Sequence, residues 1–231
     1  MQTKKVIPIE MHLSIIIVSY NTRDDLRACL ESLQAVQPAP EIIVVDNASS
    51  DGSADMVRAE FPHVRLLAQA RNTWFCGGNN IGIQAATGDY ILLLNPDTIV
   101  QPGALERLTA FLDSHPDYTG ATAQLRYPDG SIQRTCSHIP TYAYLLLEHT
   151  PLGWLLPRWR QPAAARHWYA DWARDTDQDV NVLPGSCLLL RRGLQLDDDL
   201  LLYFPEDDLA RRTPRAKWRF LADAVIIHKE K

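Results

Sequence analysis

Residues Leu13–Asn21 read LSIIIVSYN, and Ile42–Val45 repeat the pattern before ending in Asp46-Asn47. Alternating apolar and polar residues would mark a strand with one wet face. Continuous Ile and Val instead mark strands covered on both faces, as in a parallel sheet between two layers of helices. Between the two runs, Leu26, Cys29, Leu30 and Leu33 fall at helical spacing across 23–35. Beyond the second, Ser50 or Asp51 is placed to cap a helix that reaches Glu60. The rhythm continues with a strand at Val64–Ala68, a helix opening within Gly77–Ala86, a strand at Tyr90–Leu94 and a helix at Ala104–Ser114. This predicts an α/β fold built on a mostly parallel, doubly wound sheet.

The second half changes character. Four prolines (140, 151, 157, 162) and four tryptophans (154, 159, 168, 172) crowd the stretch from His138 to Asp179. A strand resumes at Cys187–Leu190, Glu206–Arg212 reads as a helix before Pro214, and Trp218–Ile227 reads as extended. No internal repeat or low-complexity linker interrupts the chain, so residues 1–231 are read as one domain.

Composition excludes several classes. With 46% hydrophobic and 22% charged residues, the chain has enough apolar content for a packed core. Its net charge of −5 argues against a dedicated nucleic-acid binder. The run Leu13–Val18 is far short of the ~20 residues needed to span a bilayer. Lys4 and Lys5 precede it but no small-residue cleavage site follows, so a cytoplasmic protein is expected. Cys29, Cys76, Cys136 and Cys187 are scattered without a C-x-x-C pair and read as structural thiols. Lysine occurs only at 4, 5, 217, 229 and 231, which removes P-loop and kinase-type chemistry.

In open parallel sheets, ligands bind at the carboxyl ends of strands. Three polar clusters fall there: Ser19-Tyr20-Asn21, Asp46-Asn47 and Asn95-Pro96-Asp97. Each alone also makes an ordinary turn or cap; together they put two carboxylates on one rim.

These stretches resemble the inverting glycosyltransferases of family 2, which have the A-type nucleotide-sugar fold, and within them the rhamnosyltransferase-like branch. The resemblance runs through Leu13–Asn21, Glu41–Ser53 (EIIVVDNASSDGS), Arg71–Gly82 (RNTWFCGGNNIG), Gly88–Thr98 (GDYILLLNPDT), Gly185–Arg192 (GSCLLLRR) and Tyr203–Leu209 (YFPEDDL). It implies a nucleotide-sugar half over about residues 13–100 and an acceptor-binding, catalytic half over 101–231. Asp46 would bind a uracil or thymine ring, with Ser19, Tyr20 and Asn21 lining base and ribose. Asn72, Gly78 and Asn79 belong to the loop that would approach the donor, and Trp74 and Cys76 stand there where relatives favour glycine. Asp97 matches the last position of the family's D-x-D motif and would hold Mg²⁺ or Mn²⁺ against the diphosphate. Asn95 replaces the first Asp and would touch ribose or water. His228 matches a histidine near the last sheet element, as a second metal ligand, a diphosphate contact or a structural residue.

Glu206-Asp207-Asp208 is the expected place of the general base, at Glu206 or, one residue on, Asp207. Acids after a proline are also favoured by the helix dipole alone. Asp197-Asp198-Asp199 reads as a solvated turn. Leu145–Leu147, Trp154–Leu156 and Trp159, beside Arg158 and Arg160, admit two readings. They form an interfacial surface for a lipid-linked acceptor, peripheral on the inner face of the membrane, or a lid packed on the sheet. Packing is the expectation, because large apolar residues are more often buried.

The expected activity is metal-dependent, inverting transfer from a pyrimidine nucleotide-diphosphate sugar, dTDP- or UDP-linked with dTDP-rhamnose in view, to a glycan or lipid-linked glycan. A non-catalytic nucleotide-sugar or glycan binder is the main alternative. A dinucleotide-dependent Rossmann enzyme is disfavoured, because Gly77, Gly78 and Gly82 miss the G-x-G-x-x-G spacing.

Overall fold

A computed structural model describes residues 12–201 and 204–230. Lys4, Lys5, Lys231 and the first residue of the Tyr203–Leu209 motif lie outside the described residues. Strands β1 (Leu13–Ser19), β2 (Glu41–Asp46), β3 (Arg65–Ala68) and β4 (Tyr90–Leu94) form the expected parallel sheet, in the order β3-β2-β1-β4. Helices α1 (Arg23–Leu33), α2 (Ser53–Glu60) and α3 (Trp74–Ala85) connect them, and α4 (Ala104–Ser114) follows the short strand β5 (Thr98–Val100).

Beyond β4 the sheet continues through β8 (Cys187–Arg191), β6 (Gly120–Arg126) and β9 (Trp218–His228) to β5, with β7 (Gln178–Val180) also on β9. Here β8 runs antiparallel to both β4 and β6, while β6 and β9 are parallel. The α/β fold therefore joins a parallel N-terminal sheet to a mixed extension.

Two apolar layers flank the sheet. On one face Leu26, Leu30, Met56, Val57, Leu105 and Leu108 pack on Ile15, Ile17 and Val44. On the other, Cys76, Ile83 and Leu209 pack on Ile16, Ile43 and Leu93. That division is why the strands carry Ile and Val without alternation. The four cysteines are buried and unpaired, and burial pushes the Cys29 thiol up to about 12.

Three local expectations are corrected. Helix α2 is capped by Gly52, whose φ of 84° suits glycine, while Asp51 accepts hydrogen bonds from the Ser53 amide and hydroxyl. Asp198 is not merely solvated: it accepts a 2.7 Å hydrogen bond from buried Asn80. The Trp- and Pro-rich stretch forms α5 (Tyr142–His149), α6 (Leu152–Leu155) and α7 (Pro157–His167), yet Trp154, Leu155 and Trp159 point into solvent and are not packed on the sheet. Among the described residues no helix is long and apolar enough to cross a membrane.

Candidate active site

The rim is built from the ends of β1, β2 and β4. Ser19 is fully buried and spends its hydroxyl on Thr22 at 2.9 Å, so it supports the rim from below and has no surface for a nucleotide. Tyr20 is half exposed. Asn21 has a φ of 54° and accepts from the Ser50 amide at 2.8 Å, tying the β1 and β2 ends together. Asp46 is buried; its Oδ2 accepts from the Ser49 amide, and its Oδ1 has no partner among the described residues. Asn47 holds the turn before α3, accepting from the Thr73 hydroxyl and donating to the Trp74 carbonyl.

The glycine- and asparagine-rich loop differs from expectation. Helix α3 begins at Trp74, so Gly78 and Asn79 lie inside it and not at its start. A Cβ on Gly78 would come within 2.7 Å of Val18, and one on Gly82 would collide with Ile16. These glycines let the helix lie close on β1. Asn79 is buried and donates to the Phe75 carbonyl. The Phe75 and Cys76 amides both donate to the Leu201 carbonyl, which occupies the helix end a phosphate would need. Asn72 spends its side-chain oxygen on the Trp74 amide at 2.7 Å, a local turn. Trp74 itself is about half exposed.

Past β4, the carbonyl of Asn95 accepts from the Thr98 hydroxyl, while its carboxamide makes no hydrogen bond among the described residues. Pairing of Thr98 with His228 across β5 and β9 sets the His228 ring beside Asp97, with Nε2 3.4 Å from Asp97 Oδ1. Gln133 orients that ring: its Nε2 donates to the His228 carbonyl at 2.7 Å, so its Oε1 accepts from Nδ1 at 2.9 Å. The Nε2 lone pair is then turned toward the carboxylate. Two such acceptors held together need a proton or a cation between them. Burial pushes the Asp97 carboxyl up, but a proton held on His228 Nε2 and shared with the carboxylate outweighs it and holds Asp97 below its ordinary value. Among the described residues no group of three or more His, Cys, Asp or Glu is arranged around a cation. One carboxylate such as Asp97, with water and substrate phosphates completing the shell, is a common arrangement for Mg²⁺, and His228 adds a neighbouring imidazole. The residues present fit that requirement.

The opposite wall comes from α8 (Pro205–Arg212), whose first turn carries the three acids. A cavity of about 330 Å³ is lined by His228, Gln133, Arg134, Trp168, Glu206 and Asp207, among others. Burial, and secondarily the charge of Asp207, raises Glu206 to about 7; burial raises Asp207 to about 6 against the opposing charge of Arg211. A helix N-terminus alone would lower both, so desolvation decides. Asp207 Oδ1 and Thr135 Oγ1 are buried without partners among the described residues. Asp208 does not line the cavity and is held in an ion pair with Arg212 one turn on.

Gly185 makes room for this arrangement, because a Cβ there would occupy the position of the Glu206 carboxylate. The cavity wall between 134 and 174 is held by buried Arg174. Its guanidinium donates to the carbonyls of Thr135, Tyr169, Trp172 and Trp168 and stacks over the Trp172 ring at 4.8 Å. Gln133, Arg134 and Arg174 were not singled out from sequence; Trp168 entered only among the tryptophans of the 138–179 stretch and Gly185 only as the start of GSCLLLRR. Only Gly185, next to a strand start, carried any local signal.

The Glycosyl transferase family 2 profile matches residues 14–194. An N-acetylglucosaminyl-diphospho-decaprenol L-rhamnosyltransferase of Mycobacterium tuberculosis is 26% identical over 235 residues, covering 94% of this chain and 75% of the relative. An uncharacterized glycosyltransferase of Escherichia coli, YibD, is 41% identical over 100 residues, 42% of this chain and 29% of that protein. Among solved structures, a mannosyltransferase of Pyrobaculum calidifontis with GDP-Man and Mn²⁺ superposes with a TM-score of 0.64 at 15% identity, over 94% of this chain and 56% of that one. Staphylococcus aureus TarS 1–349 with UDP gives 0.62 at 15%, over 94% and 60%. This chain thus spans little more than half the length of those solved chains.

Proposed function

The chain belongs to glycosyl transferase family 2, and on that footing we propose that it carries out metal-dependent, inverting transfer of a sugar. The donor is a pyrimidine nucleotide-diphosphate sugar, dTDP- or UDP-linked, with dTDP-rhamnose first to test. The acceptor is a hydroxyl of a glycan or lipid-linked glycan. The observation that carries this reading is the cavity where the His228 ring, facing Asp97, meets the Glu206–Asp207 pair. The lipid-linked limb draws on the name of the mycobacterial relative.

In this reading the unspent Oδ1 of Asp46 accepts the imide N–H of the pyrimidine, a donor that a carboxylate matches. Tyr20 covers the base, and the free carboxamide of Asn95 reaches ribose or ordered water. Asn21, Asn72, Gly78 and Asn79 act on the donor only indirectly, by shaping the rim. Asp97 and His228 would hold Mg²⁺ or Mn²⁺, which when bound neutralises charge on the departing diphosphate. Glu206 accepts the proton of the acceptor hydroxyl. That oxygen bonds to the anomeric carbon from the face opposite the diphosphate, and the bond to the diphosphate oxygen breaks. A carboxylate titrating near 7 is a better base than an ordinary one, since its proton affinity lies near working pH. Asp207 is the second candidate for the same proton.

Thermal melting with UDP, dTDP, GDP and NAD, each with and without Mn²⁺, tests the reading. A ligand at 100 times its dissociation constant adds about 2.7 kcal/mol, or roughly 5–10 °C for a domain of this size. The expected result is a Mn²⁺-dependent rise with UDP or dTDP that Asp97→Ala removes. A rise with NAD alone, or an unchanged rise in Asp97→Ala, overturns it.

A further inference from the structure

The helices α5, α6 and α7 pack on one another as an arm. Glu148 on α5 holds Arg160 on α7 through two hydrogen bonds of 2.9 and 3.0 Å. Gly153 lets α6 close onto α5, since a Cβ there would strike the Leu147 carbonyl. The arm is braced at its base by Tyr144 stacked on His167 at 3.9 Å. Its outer face is apolar yet uncovered: Tyr142 is 85% exposed, Trp154 80%, Leu155 77% and Trp159 65%. Such side chains scattered singly would need no explanation, but here they share one short arm.

We propose that this arm is a docking surface for an anionic lipid bilayer, with Trp154, Leu155 and Trp159 inserted at the headgroup level. Two features commit it to that occupant. Tryptophan and tyrosine favour the membrane–water interface, where an apolar ring meets a polar edge. The charge is also complementary: residues 142–170 carry three arginines against one glutamate, in a chain whose net charge is −5. The glutamate is taken by Arg160, and exposed Arg158 and Arg166 make no ion pair among the described residues. Exposed Arg158 adjoins Trp159 and lies close in sequence to Trp154 and Leu155 on an otherwise acidic molecule, and basic side chains beside exposed aromatic and apolar ones suit anionic headgroups.

The surface deepens the acceptor half of the proposed function. Trp168, just past the end of α7, lines the catalytic cavity. His149 at the end of α5 meets the ring of Phe204, which directly precedes α8, at 6.1 Å. A docked arm would therefore hold the cavity next to the bilayer, where a lipid-linked hydroxyl would be held.

The test is co-sedimentation with phosphatidylcholine vesicles, with and without phosphatidylglycerol. The proteins are wild type, the triple variant Trp154→Ser/Leu155→Ser/Trp159→Ser, and Arg158→Gln/Arg166→Gln. Wild type is expected to partition to the mixed vesicles, less so at high salt. Both variants are expected to lose about tenfold or more of that partition. Melting shifts with UDP or dTDP on the same samples check folding and separate failure of docking from failure of the nucleotide site. No vesicle binding by wild type, equal binding by the triple variant, or a dimer abolished by the triple variant without vesicle binding overturns the proposal.

Discussion

Replacing Glu206 by Gln separates the base from the fold without any substrate. The carboxyl is raised from 4.5 to about 7, chiefly by burial. Below pH 4.5 it is protonated in both folded and unfolded chains and costs nothing. Between 4.5 and 7 the unfolded chain releases a proton that the folded chain retains, so stability declines as pH rises. Above 7 the full cost is present: at about 1.36 kcal/mol per pH unit, about 3 kcal/mol. Glutamine is nearly isosteric and never ionises, so it avoids that cost. The advantage of Glu206→Gln over wild type should therefore grow by about 2–3 kcal/mol between pH 5 and pH 8.5. In a domain of this size that is roughly 5–10 °C in melting temperature. Paired melting curves across pH read it directly, and transfer should be lost in the same variant. A stability difference that stays constant with pH, or reverses above pH 7, would refute the assignment of a desolvated carboxyl.

Gly185→Ala should displace the Glu206 carboxylate and lower kcat about 100-fold, the cost of about 1 Å of misplacement, while nucleotide-induced melting shifts stay unchanged. Asp208→Asn should remove only a helix-surface ion pair, changing stability by about 0.5 kcal/mol or less; a large loss of transfer would place Asp208 in the catalytic chemistry instead. Gly82→Ala should force α3 off Ile16 and cost about 1–3 kcal/mol by urea denaturation.

The parallel strands were legible because both faces of each are covered, which leaves Ile and Val without polar interruption. Strand β6 was not, because its sequence GATAQLR fills the narrow space beside β8 with small residues that carry little strand signal. Gly78 was expected to let a donor approach closely, but what Gly78 and Gly82 admit is the protein's own β1. Periodicity cannot say whether a glycine's neighbour is a ligand or a side chain. The same limit applies to Asp207 and Asp208: adjacent in sequence, they diverge by about 100° around α8, and only one reaches the cavity. Trp154 and Trp159 were expected to pack because tryptophan usually does. Trp154 on α6 and Trp159 on α7 are instead exposed, a placement set by how these helices connect and not encoded by residue type.

Arg174 has one consequence for diversification. The wall it braces is fastened chiefly through main-chain carbonyls, which every residue possesses, with the Trp172 ring the one side chain it stacks on. The positions lining that wall can therefore be exchanged while its curvature persists. Arg134, Thr135 and Trp168 are the replaceable tiles on a fixed backing, and under the proposed function acceptor preference is the property that would drift through them without refolding the chain.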